Sequence, residues 1–175
     1  MFYMNSFMKQ KYTFLSVLIL LCCSSVYAKE LVTVTRIIDG DSIKILYKDK
    51  KQNVRLIGID TPENVANKKA QKDSEYSNIY IGNIIVMGQK ATVFTESLVN
   101  PGDMVNIEFD IKRIDRYGKL HCYVWLKNGL MLNEEIIKAG YAVPKTIEPN
   151  IKYQDRFVSG YKLARKNRVG LWKRD

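Results

Sequence analysis

LVTVTRIIDGDSIKILYKDKKQNVRLIGIDTPE, residues 31–63, holds three short apolar runs separated by polar turns. Leu31–Ile38 alternates in part, Ser42–Tyr47 follows the turn Asp39-Gly40-Asp41, and Asn53–Ile59 follows the polar stretch 48–52. β-Branched and aliphatic residues grouped in this way predict strands, and three strands joined by short turns predict an antiparallel meander. The third run opens with Arg55 and closes on Asp60, Thr61, Pro62 and Glu63. A turn accounts for Pro62, but it does not require an arginine and two carboxylates around it.

On the N-terminal side, residues 1–28 carry Lys9 and Lys11, an apolar run from Tyr12 to Leu21, and then Val26-Tyr27-Ala28. This is the form of a secretory signal cleaved before Lys29. The run is shorter than the about 20 apolar residues that a bilayer span needs. The mature protein is therefore expected to be one exported domain, residues 29–175, periplasmic or secreted, with no stable membrane insertion once the signal is removed. Lipid attachment at Cys22 or Cys23 is disfavoured, because Leu21 and Cys22 are not the small residues that such a site wants.

The expected mature chain is long enough to bury one core. Cys122 is its one cysteine, so no internal disulfide can form. The formal charge of the whole chain is +10, and removing Lys9 and Lys11 leaves +8 on residues 29–175. Such an excess points to an anionic partner, nucleic acid before an acidic membrane surface, although solubility alone would explain it equally well.

On the C-terminal side, residues 64–85 read as a long polar loop carrying Lys68, Lys69 and Lys72, draped over a substrate or moving in solvent. Met87, Ala91, Phe94 and Leu98 then recur at helical spacing up to Asn100-Pro101-Gly102. Strands are predicted at Met104–Asp110 and Leu120–Leu126, and a helix at Leu132–Ala139. A last helix spans about 151–167, with Tyr153, Phe157, Tyr161 and Ala164 on one face. The class is mainly β with α (α+β). Five strands, with a helix after the third and helices at the end, suit a five-stranded OB-fold β-barrel capped by three helices.

In a meander the start of the second strand and the end of the third lie on paired strands, so Asp41 and Asp60 can reach one ion. Two carboxylates, a main-chain carbonyl and waters make an all-oxygen site, which suits a hard cation such as Ca²⁺. Each turn taken alone is explained as an Asx turn or a strand stop. Both in one meander, with Arg55 between them, favour a site. His121 is expected to point outward, and Cys122, in register with Leu120, Val124 and Leu126, to be a buried thiol. Lys152, Arg156, Lys162, Arg165 and Lys166 on the last helix suit a phosphate track or a solvated surface alike.

DGDS at 39–42, RLIGIDTPE at 55–63, DRYGK at 115–119 and GLW at 170–172 together resemble the staphylococcal (micrococcal) nuclease-like family, the thermonucleases. The likeness is spread from about Val32 to Trp172. The aspartate pair and the spacing from Arg55 to Glu63 are its specific part, and GLW is supportive. The resemblance implies an OB-fold barrel with three helices and an enzyme that cleaves DNA and RNA with Ca²⁺, breaking the bond between phosphorus and the 5′ oxygen to leave 3′-phosphate ends.

By the same resemblance, Asp41 and Asp60 are calcium carboxylates and Thr61 supplies a carbonyl ligand. Glu63 positions or deprotonates the attacking water, and Arg55 clamps the phosphate, for which its planar fork is suited. The stretch Asp115, Arg116, Tyr117 matches nucleotide-binding positions. Lys119 stands where the family usually has arginine. It keeps the charge and a proton but cannot grip two oxygens in one plane. The family's two base-stacking tyrosines have no counterpart in YAVPKTIEPN, residues 141–150. The rival reading is a nucleic-acid-binding OB module without catalysis, and a more distant one is a structural exported protein. Metal-dependent cleavage separates them. A monomer is expected.

Overall fold

A computed structural model describes residues 29–173. The expected signal, residues 1–28, lies outside the described residues. The elements run β1 (Glu30–Asp39), β2 (Ser42–Tyr47), β3 (Lys50–Leu56), β4 (Gly58–Asp60), α1 (Lys68–Ser77), α2 (Ile81–Leu98), β5 (Met104–Ile114), β6 (Leu120–Trp125), α3 (Leu132–Lys138), β7 (Val143–Lys145) and α4 (Gln154–Asn167). A 3₁₀ turn at Gly170–Trp172 follows.

The meander expected at residues 31–59 is present: β1 pairs with β2, and β2 with β3, in antiparallel register. The sheet closes into a barrel in the order β1-β2-β3-β6-β5, with β3 and β6 parallel. This is a five-stranded OB-fold barrel with helices at its ends. Alternation builds its interior. Ile43 and Ile45 of β2 point in, beside Val34, Val54, Ile107, Cys122 and Val124, all fully buried. Each aliphatic side chain withdrawn from water contributes about 1.5–3 kcal/mol. Leu132, Ile136 and Ile137 of α3 close the core.

The third run does not continue as one strand to Ile59. It breaks at Ile57, where the buried Asn133 amide donates to the Ile57 carbonyl (2.9 Å) and its oxygen accepts from Val124 N (3.0 Å). Gly58 follows at φ +81°, a conformation that favours glycine, and a Cβ there would meet the Phe157 ring at 2.4 Å. After this bend β4 leaves the barrel and pairs with β7 in a two-stranded sheet, which carries Asp60 outward.

The second difference lies in residues 64–85, where a fourth helix replaces the expected loop. α1 is capped by Asn67, whose side-chain oxygen accepts from Lys69 N and Ala70 N (both 2.9 Å). Its sequence, KKAQKDSEYS, is too polar to show an apolar stripe. Ala70, its buried residue, is the contact by which it sits down on the fold. α2 accordingly begins at Ile81, before the first apolar residue of the predicted periodicity.

Candidate functional site

Asp41 follows Gly40 in the β1–β2 turn, where Asp39 Oδ1 accepts from Asp41 N at 3.1 Å. The Asp41 side chain is 1% exposed. Its Oδ1 lies 2.7 Å from Arg55 Nη1 and 3.1 Å from Ser42 Oγ, and its Oδ2 accepts from Thr61 N at 2.8 Å. Burial pushes the Asp41 carboxyl up to about 7, in spite of the guanidinium beside it.

Arg55 is paired with Ser42 across β2 and β3. Its second amine contacts Asp60 Oδ1, so one guanidinium joins the β1–β2 turn to β4. Lys145 of β7 reaches Asp60 Oδ2 at 3.1 Å. Glu63 accepts from Asn67 Nδ2 at 2.7 Å and lies 2.9 Å from Lys69 Nζ. Burial alone would raise the Glu63 carboxyl, but the Asn67 amide and the Lys69 ammonium outweigh it and hold it below the usual carboxylate range.

Of the two alternatives for the 64–85 segment, over the site or loose in solvent, Lys69 takes the first. Its Nζ donates to the Thr61 carbonyl at 3.2 Å and lies 3.6 Å from Asp60 Oδ1 and 3.3 Å from Asp73 Oδ2. Behind Glu63, α2 approaches closely at Gly88, where a Cβ would stand 2.2 Å from the Glu63 carbonyl oxygen.

Arg55 opens onto a cleft of about 610 Å³ that is also lined by Lys112, Arg116, Lys119, His121 and Lys145. Coulomb attraction would draw a polyanion into it. Asp115 staples the 115–119 turn by accepting from Tyr117 N (2.8 Å) and Lys119 N (3.0 Å). The Lys119 side chain is exposed, and the Arg116 guanidinium lies over the Tyr117 ring at 4.8 Å. His121 points out of the barrel, as expected, but into the cleft rather than into open solvent. Its side chain is 16% exposed, lies beside Asp115 in this cleft, and is paired with Arg55 across β3 and β6. Burial holds its imidazole below the usual value, although Asp115 opposes this.

The fold thus gathers Asp41, Arg55, Asp60, Thr61 and Glu63, and sets Lys119, Asp115, Arg116 and Tyr117 on a turn across the cleft. Among the described residues, no three His, Cys, Asp or Glu side chains gather to hold a metal ion. Cys122 is the buried free thiol expected. On the last helix, Arg156 contacts Glu134, and just before it Lys152 contacts Glu108, so these two serve the fold rather than an open phosphate track. Sequence reasoning missed Asn67, Gly88 and Lys145, and named Lys69 only as one of three lysines on the 64–85 segment. A capping asparagine and a glycine inside an apolar helix were the signals available for two of them.

The fold and the site together define an OB-fold barrel with an arginine-bridged carboxylate pair at the rim of a basic cleft. Residues 53–174 match the family described as staphylococcal nuclease homologue, and the chain belongs to that family. It is 37% identical over 139 residues to a thermonuclease of Staphylococcus hyicus, an alignment covering 79% of this chain and 73% of that one. It is 36% identical over 148 residues to endonuclease YncB of Bacillus subtilis (82% and 63%) and 35% identical over 141 residues to a thermonuclease of Staphylococcus intermedius (81% and 75%). Among the described residues, no helix is long and apolar enough to cross a membrane.

Proposed function

We propose that the protein is an exported, Ca²⁺-dependent nuclease that hydrolyses phosphodiester bonds of DNA and RNA without regard to the sugar and leaves 3′-phosphate ends. The observation that carries this reading is Arg55, which holds Asp41 and Asp60 while lining the basic cleft. The names of the relatives, thermonuclease and endonuclease, support it.

The donors fit the ion. Asp41, Asp60 and the Thr61 carbonyl offer oxygen alone, the preference of a hard cation. A tethered ammonium, that of Lys69, already lies among oxygens of this set. When bound there, Ca²⁺ would supply charge stabilisation for a phosphate gaining negative charge.

The chain's own residues do the rest. The basic cleft holds the backbone, and Arg55 exchanges carboxylate oxygens for phosphate oxygens, to which its planar fork is matched. Glu63, held ionised by Asn67 and Lys69, accepts a proton from the water that attacks phosphorus. Lys119 gives a proton to the departing 5′ oxygen. The new bond joins water oxygen to phosphorus, and the bond broken is the one to the 5′ oxygen.

A second reading, a nucleic-acid-binding domain with weak or no catalysis, draws on Lys69, whose ammonium lies beside the Asp60 and Thr61 oxygens, and on lysine at position 119. Purified protein incubated with single-stranded DNA, duplex DNA and RNA, in Ca²⁺ or in a chelator, separates the two. Cleavage that requires both Ca²⁺ and Asp41, and so is absent in Asp41→Ala, is the expected result. Salt-sensitive binding without cleavage would establish the second reading.

A further inference from the structure

Beyond Asp60 the basic cleft gives way to an apolar one. Its volume is about 370 Å³, within the roughly 300–1,000 Å³ of natural ligand clefts. It lies between α1, α2, the connection from α3 to β7 and the 3₁₀ turn. Tyr76, Ile79, Met87, Tyr141 and Trp172 line it, and Asp60 stands at its edge. The Asp60 carboxylate also contacts Arg55 and Lys145, which line the basic cleft. Asp60 thus lines the apolar cleft while its carboxylate touches two residues of the basic one.

Tyr76 is 97% exposed, and Tyr80, on the connection between α1 and α2, is 74% exposed. Rings left in water in this way contribute little to the core. They are available to stack on a flat partner.

We propose that the apolar cleft is a nucleobase subsite: it receives a base of the single strand whose phosphates lie in the basic cleft, with Tyr76 as the stacking ring. This rests on the nuclease reading above. A single strand is a line of anions carrying flat apolar faces, and it needs cations and aromatic walls side by side. The two clefts on either side of Asp60 provide both. Every base has a π-face, so the subsite tolerates any sequence. A paired base is enclosed in the duplex, so the subsite favours single strands and locally opened duplex.

The test is binding in chelator, where cleavage is suspended, of two single-stranded probes of equal length and charge: oligothymidylate and its abasic analogue. Tyr76→Ala is expected to weaken oligothymidylate binding by about tenfold and to leave abasic binding unchanged, while Tyr76→Phe behaves as wild type. Oligothymidylate should also change a tryptophan fluorescence signal that is lost in Trp172→Phe, and the abasic probe should not. If Tyr76→Ala binds both probes as wild type does, or weakens both equally, the subsite is overturned while Ca²⁺-dependent cleavage by the wild type keeps the nuclease reading. If the wild type neither binds either probe nor cleaves DNA in Ca²⁺, both readings fall. A concentration-dependent dimer in sedimentation that Tyr76→Ala abolishes would make the cleft a contact between copies and overturn the subsite.

Discussion

Lys69 Nζ lies 2.9 Å from Glu63 Oε1, and the same ammonium donates to the Thr61 carbonyl at 3.2 Å. One residue of α1 thus places a positive charge among the oxygens proposed to bind Ca²⁺ and to handle the attacking water. Like charges compete for such a position. Lys69→Met is expected to tighten Ca²⁺ binding about tenfold, as a partly screened charge is removed, and to cost about 1 kcal/mol of stability as its ion pairs are lost. Calorimetric titration with Ca²⁺ in the absence of nucleic acid reads the first effect, and thermal melting reads the second. Weaker Ca²⁺ binding in Lys69→Met would show that Lys69 organises the oxygens instead of competing for them.

Asp41 ties stability to pH. Burial pushes its carboxyl up to about 7 in the fold, from 3.8 for the free side chain. Between those values the folded chain keeps a proton that the unfolded chain has released, so stability falls as pH rises through the window. Asp41→Asn removes that loss. In chelator the variant is expected to be more stable than wild type at pH 8, by as much as about 4 kcal/mol at 1.36 kcal/mol per pH unit. The advantage should vanish toward pH 4. Equal melting of the two proteins at pH 8 would show that Arg55 fully compensates the buried charge.

Lys119 faces the basic cleft from the 115–119 turn without the fork of an arginine. Lys119→Arg is expected to raise turnover about tenfold, part of the hundred- to thousandfold effect of one well-aimed donor at a transition state. Single-turnover cleavage of single-stranded DNA at saturating enzyme isolates the chemical step. A fall in rate would mean that the turn and its neighbours are shaped for lysine.

Gly88 sets how closely α2 approaches the main chain of Glu63. A methyl group there would stand 2.2 Å from the Glu63 carbonyl oxygen and 2.6 Å from Asn64 N. Gly88→Ala is expected to destabilise the fold by about 1–3 kcal/mol, as overpacking does, and to lower cleavage by more than that loss explains, because Glu63 moves. Val93→Ala, on the exposed face of the same helix, should change neither. Thermal melts and cleavage rates measured on the same preparations decide it.

The local pattern of the chain determined a great deal. The alternation in residues 31–59, the turns that interrupt it and the later apolar runs were enough for the five barrel strands and three of the helices. They put Asp41 in the turn that starts the second strand and Arg55 and Asp60 on the third run beside it, because pairing in a meander follows from turn length and side-chain period. What short-range pattern could not carry was decided by tertiary contact. α1 has almost no apolar stripe. It forms under an Asn67 cap, with Ala70 buried and Lys69 tied to Glu63 and Asp60. The bend at Gly58 exists because Phe157, from the far end of the chain, fills the space beside it. His121 enters the cleft because β6 runs parallel to β3 and sets it beside Arg55, a pairing between segments more than sixty residues apart that closure of the barrel alone creates. Local propensity acts between neighbours along the chain, whereas the placement of Lys69, Gly88 and His121 depends on distances that exist only once the core has packed.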